Sequence, residues 1–305
     1  MEIGLVGLGR MGGGMARRLL RAGHRVVGYA RSEETLRRAE ELGIRTAHSL
    51  EELAAALVPP RTVWLMIPAG HPVDETITAL LPHLLPGDLL VDGGNSFYRD
   101  TLRRAATLRA QGIHLVDVGT SGGVWGEQAG YCLMVGGEQE AVERLQPVLE
   151  ALAPAPDRGW GHVGPVGAGH FVKMIHNGIE YGLMQAYAEG FTILRRKHEF
   201  GLDLHQVAEI WRYGSVIRSW LLDLIAQTLA EDPDLSDVAP YVEDSGEGRW
   251  SVAEAIDLDI PAPVITLALL QRLRSRDPEA YGDRLLAVLR ARFGGHPVRR
   301  RGDAR

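Results

Sequence analysis

Three features typical of secreted, membrane or nucleic-acid-binding proteins are missing from this chain. Its one cysteine, Cys132, has no second cysteine with which to form an internal disulfide, and we expect it to be a small core residue. No apolar run reaches the length of about 18 residues that a membrane-spanning helix needs, and the N-terminus leads directly into a strand pattern. A net charge of -6 argues against general nucleic-acid binding. We therefore expect a cytoplasmic protein without a membrane or nucleic-acid partner.

Lysine is almost absent as well. Among the 33 basic residues only Lys173 and Lys197 are lysine, and the rest are arginine. Arginine does not lose its proton near neutral pH, whereas a partly buried lysine can act as a base. Lys173 lies in the apolar segment Gly169–Gln185, which leaves little polar surface for an ordinary surface helix. The lysine therefore indicates a proton-transfer role, against the alternative of a solvated surface position.

Four polar residues of this segment recur at helical spacing. Lys173, His176, Asn177 and Glu180 occupy positions i, i+3, i+4 and i+7, which share one face of a helix. At 1.5 Å rise per residue, Lys173 and Glu180 lie roughly 10 Å apart along the axis. This spacing predicts a catalytic group in which a base and an acid flank one small substrate.

A glycine motif near the N-terminus predicts a dinucleotide site. The apolar run Glu2–Gly7 leads into GLGRMG, which fits G-x-G-x-x-G and is followed by an amphipathic helix through about Ala22. Strand, glycine turn and helix form the context in which the free N–H groups of a helix N-terminus bind a pyrophosphate. The alternative is a glycine-rich turn without a ligand. The predicted cofactor-binding residues here are Gly7, Gly9, Arg10, Met11 and Gly12.

The end of the second strand, His24–Tyr29, bears on the choice of cofactor. An NAD-binding domain commonly places an acidic residue near this point to bind the ribose 2′-hydroxyl, but Ala30 stands here. Arg31 and Ser32 would instead suit the 2′-phosphate of NADP. Two glutamates follow and complicate this interpretation, unless they open the next helix. We expect NADP, with NAD as the alternative, and no metal.

Further strands end in small or hydrogen-bonding residues. The strand Thr62–Ile67 leads into Pro68, Leu89–Asp92 into Gly-Gly-Asn95, and Ile113–Val118 into the predicted loop Gly119–Gly123. In an open parallel sheet these strand ends face one ligand crevice. We therefore add Ile67, Pro68 and Asn95 to the cofactor site and expect the strand ends to form one shared site.

The alternation of strands and helices stops at a segment rich in proline and glycine between residues 154 and 165. After it, helical patterns dominate, beginning with a long helix over about Gly169–Lys197. The sequence therefore predicts an α/β Rossmann-type domain over residues 1–164 and an all-α domain over residues 165–305. Domain junctions are favoured places for a site.

With these motifs placed, the chain resembles the short form of the decarboxylating 6-phosphogluconate dehydrogenases, within the β-hydroxyacid dehydrogenase group. The blocks that carry the resemblance occur in the same order and cover both predicted domains. They are GLGRMG, VDGGNS, TSGGVWG, GHFVKMIHNGIEYGLMQ, GEGRWSV and RARFGGH.

The resemblance implies a reaction and a role for each matching residue. Lys173 would take the proton of the substrate's C3 hydroxyl while hydride passes from C3 to the nicotinamide. The 3-keto acid would lose CO2, and Glu180 would protonate the enediol to give ribulose 5-phosphate. Further matches imply which residues bind the sugar acid: Asn95, Ser121, Gly122, Gly123, His176 and Asn177. The implied phosphate ligands are Tyr181, Arg249, Ser251 and Arg272.

Arg290 and His296 match positions that, in the family, reach into the neighbouring subunit's site, which implies a homo-oligomer, a dimer or a tetramer. Three departures from the family pattern stand out. Leu183 replaces an acidic residue, Arg249 and Ser251 replace Lys and Thr, and the chain lacks the extended helical region of longer relatives. A phosphate accepts arginine well, so we expect the phosphate role to persist.

Two other functions remain open from the sequence. A related β-hydroxyacid dehydrogenase could oxidise a small acid without phosphate, and it would keep Lys173 but have no need of Arg249, Arg272 and Arg290 together. A catalytically silent protein on the same fold could bind NADP or NAD only as a sensor. The retention of both Lys173 and Glu180 argues against this second reading.

Overall fold

The computed structural model describes residues 1–294 and 297–299. Eight strands are present there: β1 (Glu2–Val6), β2 (Arg25–Tyr29), β3 (Arg45–Ala47), β4 (Thr62–Leu65), β5 (Leu89–Asp92), β6 (His114–Ser121), β7 (Cys132–Gly136) and β8 (Trp160–Gly164). The helices of the sheet region are α1 (Arg10–Arg21), α2 (Glu33–Glu41), α3 (Leu50–Ala55), α4 (His71–Leu80), α5 (Tyr98–Arg109), α6 (Gly126–Ala129) and α7 (Gln139–Leu152). Those that follow are α8 (Ala168–Arg196), α9 (Leu204–Arg212), α10 (Trp220–Glu231), α11 (Glu247–Asp257), α12 (Pro263–Ser275) and α13 (Tyr281–Gly294).

All eight strands form one sheet in the order β3-β2-β1-β4-β5-β6-β7-β8. Neighbouring strands from β3 to β6 pair in parallel, and β7 turns back to pair antiparallel with β6. The strand order reverses direction between β1 and β4, the point at which doubly wound folds bind their ligands. The predicted Rossmann-type sheet and the helical region after it are confirmed.

The central strands are buried on both faces because helices cover the sheet on each side. Alternate residues of one strand enter two separate cores: Ile3 and Leu5 pack with Met15 of α1, whereas Val6 packs with Leu53 of α3. This double burial explains the nearly continuous apolar runs from which the strands were predicted.

The structure corrects three local expectations. Gly119–Ser121 were predicted as a loop but belong to β6, because the returning β7 pairs with them as far as Ser121 opposite Cys132. The sequence reading overlooked β3 and β8, which are short, and β8 contains two glycines. Cys132, expected in the core, is exposed at the start of β7.

The chain divides into two compact units between Gly178 and Ile179, within α8. In the second unit, Ala208 of α9 packs with Leu222 and Ala226 of α10, while Tyr181 packs with Ala268 of α12. The domain boundary predicted after Gly164 stays a prediction. Across the described part of the chain, no helix is long and apolar enough to cross a bilayer.

Candidate active site

The glycine turn after β1 is shaped by close backbone contacts. Gly7 has φ +96°, and a Cβ atom there would lie 2.2 Å from the carbonyl oxygen of Met66. A Cβ on Gly12 would lie 1.9 Å from the Gly7 carbonyl oxygen. A Cβ on Gly9, the residue before α1, would meet no described atom within 4 Å. The first and third glycines are therefore required by packing, and the second leaves the helix N-terminus open to a ligand.

A cleft of about 510 Å³ lies at the carboxyl ends of β1, β2 and β4. Arg10, Met11 and Gly12 form the adjoining first turn of α1, where backbone N–H groups lack intrahelical partners. The volume, the open glycine and the helix N-terminus fit a dinucleotide. The predicted cofactor residues that line the cleft are Gly7, Gly9, Arg31, Ser32, Ile67 and Pro68.

Ser32 has a structural role that the sequence reading missed. It precedes α2, and its hydroxyl oxygen accepts the backbone N–H of Thr35 at 3.4 Å as a helix cap. Of the two acids that complicated the cofactor prediction, Glu34 pairs with Arg38, and Glu33 lies 3.5 Å from His48 Nδ1. Both acids therefore lie in the first turn of α2. The NADP prediction depended on this placement.

A series of contacts in the first unit joins the ends of β4, β5 and β6. A Cβ on Gly94, in the segment before Asn95, would lie 2.9 Å from the carbonyl oxygen of Ile67. The Thr120 hydroxyl lies 3.5 Å from the carbonyl oxygen of Gly93. The predicted cofactor residue Ile67 and the strand-end segment that carries Asn95 are therefore neighbours.

Lys173 stands against the same strand ends. A Cβ on Gly119 of β6 would lie 2.4 Å from the Lys173 Cβ, so α8 approaches the strand as closely as a glycine allows. Only 7% of Lys173 is exposed. A lysine ammonium in such a position needs polar partners, and its Nζ lies 3.5 Å from His176 Nδ1, which itself lies 3.0 Å from Asn177 Oδ1. The three predicted residues thus form one polar group on the helix.

The other predicted substrate residues near β6 lie in a tight turn. Ser121 ends the strand, and Gly122 and Gly123 follow with φ +118° and +52°, a conformation that favours glycine. Glu127, a little further on, pairs with Arg17 of α1, which ties this segment to the helix of the dinucleotide cleft. Glu180 is half-buried on α8, two turns beyond Lys173 and in the second unit.

Buried polar residues that the sequence reading missed hold the start of α8. The Asp117 carboxylate of β6 accepts the backbone N–H groups of Gly167 at 2.7 Å and His170 at 2.8 Å. His170 Nδ1 lies 2.7 Å from the Thr101 hydroxyl. Burial raises the pKa of Asp117, against the opposing charge of His170 and these backbone hydrogen bonds. The sequence pattern that could have indicated this contact is an acidic residue between two valines of a buried strand.

In the second unit, two of the predicted phosphate ligands stack. The Arg272 guanidinium lies 3.4 Å from the centre of the Tyr181 ring. The Tyr181 hydroxyl is buried and makes no hydrogen bond of normal geometry within the described residues, although Ser245 is near enough to lower its pKa. Burial raises the pKa of this phenol, and the Arg272 charge opposes the shift. A buried hydroxyl beside a guanidinium can donate to an anion.

Arg249 and Ser251 lie on α11 close to this stack. A Cβ on Gly248 would lie 2.5 Å from the Tyr181 ring. Ser251 donates its hydroxyl proton to the Glu247 carbonyl oxygen at 2.9 Å. The Arg249 guanidinium pairs with Asp244, and Arg272 donates to the carbonyl oxygen of the preceding Glu243. The structure therefore brings the four predicted phosphate ligands together.

Asp244 and Arg276 are residues of this cluster that the sequence reading missed. The Asp244 carboxylate is almost fully buried, and its Oδ2 lies 3.6 Å from an Arg276 nitrogen. Burial disfavours its ionisation, but hydrogen bonds from Arg249 and from the Gly246 backbone, with the two arginine charges, lower its pKa overall. Arg290 lies apart on α13 with its side chain exposed, and His296 lies outside the described residues.

Comparison with known proteins places these groups in a family. Residues 2–164 match the family model for the NAD binding domain of 6-phosphogluconate dehydrogenase, and residues 169–285 match its C-terminal domain. The chain belongs to the 6-phosphogluconate dehydrogenase family. It is therefore an NAD(P)-dependent oxidoreductase, and the resemblance inferred from the sequence motifs is confirmed.

Relatives within this family differ in cofactor and length. The chain is 45% identical to the NAD(+)-dependent decarboxylating 6-phosphogluconate dehydrogenase of Haloferax volcanii, over 99% of this chain and 100% of the relative. It is 38% identical to the NADP(+)-dependent enzyme of Bacillus subtilis, over 90% of this chain and 61% of that longer protein. The solved structure of Plasmodium falciparum 6-phosphogluconate dehydrogenase matches 100% of this chain and 67% of its own, with 31% identity and a TM-score of 0.82.

Proposed function

We propose that the chain catalyses the oxidative decarboxylation of 6-phospho-D-gluconate to D-ribulose 5-phosphate and CO2, with reduction of a nicotinamide cofactor. The observation that carries the choice of substrate is the cluster of Tyr181, Arg249, Ser251 and Arg272, which supplies two guanidinium groups and two hydroxyls. Such a set suits a phosphate monoester. A small acid without a phosphate would offer no group for this cluster to bind.

The residues of α8 supply the proton transfers of this reaction. Neutral Lys173 takes the proton from the C3 hydroxyl, and a nicotinamide cofactor held in the cleft would supply the acceptor for the hydride of C3. Protonated Lys173 then donates a hydrogen bond to the C3 oxygen, where negative charge collects as the β-keto acid loses CO2. Glu180 protonates the carbon that the carboxylate has left.

His176 and Asn177 bind the sugar acid in this scheme. The Nδ1 atom of His176 lies near both Lys173 Nζ and Asn177 Oδ1, so it can accept from the former when unprotonated or donate to the latter when protonated. This arrangement orients the Lys173 ammonium toward the polar face of the helix. Asn95, Ser121, Gly122 and Gly123 complete the substrate site from the strand ends.

We propose NADP as the preferred cofactor, because Arg31 is exposed in the cleft and Ala30 offers no carboxylate for a ribose 2′-hydroxyl. Arg31→Ala should raise the Kd of NADP by at least about tenfold, the loss of one charge-assisted hydrogen bond, and change that of NAD little. Arg37→Ala on the exposed face of α2 is the matched control. Equal losses for both cofactors would mean that Arg31 does not contact the 2′-phosphate.

We propose that the active form is a homo-oligomer, a dimer or a tetramer. In it, Arg290 and His296 reach into the neighbouring subunit's site. The exposed position of Arg290 on α13 supports this assignment.

Initial rates with 6-phosphogluconate and with unphosphorylated gluconate, each with NADP and NAD, test the proposed reaction while released CO2 is trapped. We expect turnover only with the phosphorylated acid and equal amounts of CO2 and reduced cofactor. Cofactor binding without turnover of either acid would refute the proposal and favour a related dehydrogenase with another substrate.

A further inference from the structure

Arg104 of α5 is a buried arginine to which neither the motifs nor the proposed chemistry assigns a role. Only 3% of it is exposed, and its guanidinium makes hydrogen bonds in two directions. Toward α4 it donates to the Asp74 carboxylate at 2.8 Å and to the Gly70 carbonyl oxygen at 2.9 Å. Toward the segment after β5 it reaches Asp92 and Ser96, each at 3.4 Å. Arg104 therefore connects two separate segments through one side chain.

The segment after β4 lines the cofactor cleft, and the segment after β5 is in contact with it. Gly70 follows Ile67 and Pro68, which line the cleft after β4. Asp92 accepts the backbone N–H of Gly94 at 3.1 Å and the Ser96 hydroxyl at 2.8 Å, which fixes the turn that carries Asn95. The two segments already touch, because Gly94 packs against the Ile67 carbonyl oxygen. The guanidinium thus sets the relative position of a segment that lines the cleft and a segment that packs against it.

We propose that Arg104 is a positioning residue for the nicotinamide end of the cofactor site: it holds the segment after β4 and the segment after β5 at a fixed separation. This inference rests on the proposed assignment of Ile67, Pro68 and Asn95 to the cofactor site, since β4 and β5 lie across β1 from β2, whose end carries the proposed 2′-phosphate ligand Arg31. The planar fork of arginine matters here, because its three nitrogens serve different partners at the same time. A lysine in its place retains the charge but supplies one nitrogen.

The neighbouring Arg103 offers a matched control. It donates to the same Asp74 carboxylate at 3.0 Å, but its side chain is 56% exposed and its remaining described partner is Asp100 on its own helix. Both arginines therefore stabilise Asp74, whereas Arg104 alone of the two joins it to Asp92 and Ser96. A role in stability alone would give the two substitutions similar effects on ligand binding.

The test compares Arg104→Lys with Arg103→Lys by calorimetric titration of the whole protein. The ligands are the dinucleotide that the wild type binds, NADP or NAD, and its fragment without nicotinamide, ADP-ribose 2′-phosphate or ADP-ribose. We expect Arg104→Lys to raise the dissociation constant of the dinucleotide by about tenfold, because the nicotinamide end of the site shifts, and that of the fragment by less than about twofold. Arg103→Lys should leave the ratio of the two dissociation constants unchanged.

An unchanged ratio in Arg104→Lys, or an equal change in Arg103→Lys, overturns the proposal. Arg104→Gln is a second variant, and it removes the charge. The ratio of the two dissociation constants is measured on the folded fraction of this variant and is interpreted in the same way. Because these titrations require no turnover, they separate this inference from the proposed reaction: a protein that fails to oxidise 6-phosphogluconate can still show the altered ratio.

Discussion

At the scale of single residues, Lys173 combines three properties that a general base requires. It is nearly buried, it lies within reach of His176, and it stands at the strand edge where the cofactor residues converge. The second lysine, Lys197, lies at the far end of the same helix, is half exposed and pairs with Glu199 at 2.7 Å. Lys173 is thus placed for proton transfer, whereas Lys197 is an ordinary surface charge.

Replacing Lys173 by arginine should abolish most of the oxidation. Arg keeps the positive charge but does not give up its proton near neutral pH, so the loss in kcat should be about 10²–10⁴-fold, the usual contribution of a general base. Cofactor affinity, measured by titration, should stay close to that of the wild type. Lys197→Arg is the control and should keep normal turnover. Normal turnover in Lys173→Arg would remove the base assignment.

At the scale of elements, glycines allow α8 to contact the sheet. Gly119 of β6 and Gly169 of α8 face each other so closely that a Cβ on Gly119 would lie 2.6 Å from the Gly169 carbonyl oxygen. Asp117, two residues before Gly119, fixes the start of the helix by accepting two of its first N–H groups. The position of Lys173 is therefore set by the contact between helix and strand, not by a flexible loop.

Gly119→Ala should disturb this contact. The added methyl group would lie 2.4 Å from the Lys173 Cβ, and the helix or strand must shift to relieve the overlap. We expect a loss of about 1–3 kcal/mol in the free energy of unfolding, measured with urea, and a lower kcat. Gly161→Ala in β8, where a Cβ meets nothing described within 4 Å, is the control. Equal stability of the two variants would contradict the close contact.

The link between α4 and α5 should appear in the acid dependence of stability. Hydrogen bonds from Arg104, and then from Arg103, hold the pKa of Asp74 at about 2, against the opposing effect of burial. A carboxyl whose pKa is lower in the folded state than in the unfolded state stabilises the fold above its unfolded pKa. That contribution is lost as the pH falls from 3.8 toward about 2.

Asp74→Asn should therefore lower the free energy of unfolding at neutral pH, and the difference from the wild type should shrink in acid. Urea unfolding of both proteins between about pH 7 and about pH 2 measures this difference. Asp157→Asn is the control, because Asp157 is an exposed residue paired with the adjacent Arg158. A difference that stays constant with pH would show that Asp74 gains no ionic stabilisation.

At the scale of the whole molecule, α13 leaves a group of large apolar side chains exposed on one helix. Leu285, Leu286, Val288 and Leu289 of this helix are 45%, 60%, 45% and 48% exposed. Exposed apolar residues that form a patch on one helix mark an interaction surface. They support the proposed oligomer, since Arg290 lies on the same helix.

Light scattering should give a mass of at least twice the 33.3 kDa of one chain. The double substitution Leu286→Glu with Leu289→Glu should lower that mass, because charges at a buried interface are costly. Leu42→Glu, at an exposed apolar position of the first unit, should leave it unchanged. A mass of one chain for the wild type would refute the oligomer.

Much of the fold could be predicted from the sequence because its signals are local. The glycine turn predicts its own backbone geometry, and apolar runs between turns predict buried parallel strands. β3 escaped prediction because three residues carry too weak a pattern, and β8 because its two glycines interrupt the apolar run. The end of β6 was misplaced because its last residues are held by β7, which returns from further along the chain.

The same distinction separates the parts of the candidate site. Sequence alone determined the polar face of α8 and the glycine turn, since each depends on residues within a few positions of one another. It also determined the family, because each motif block that carries the resemblance is short and continuous. Only the tertiary structure revealed Asp117 beneath α8, Arg104 between two segments and Arg276 beside Asp244. Their partners lie far away in sequence, and burial makes the pairing of a charge obligatory without indicating which residue supplies it.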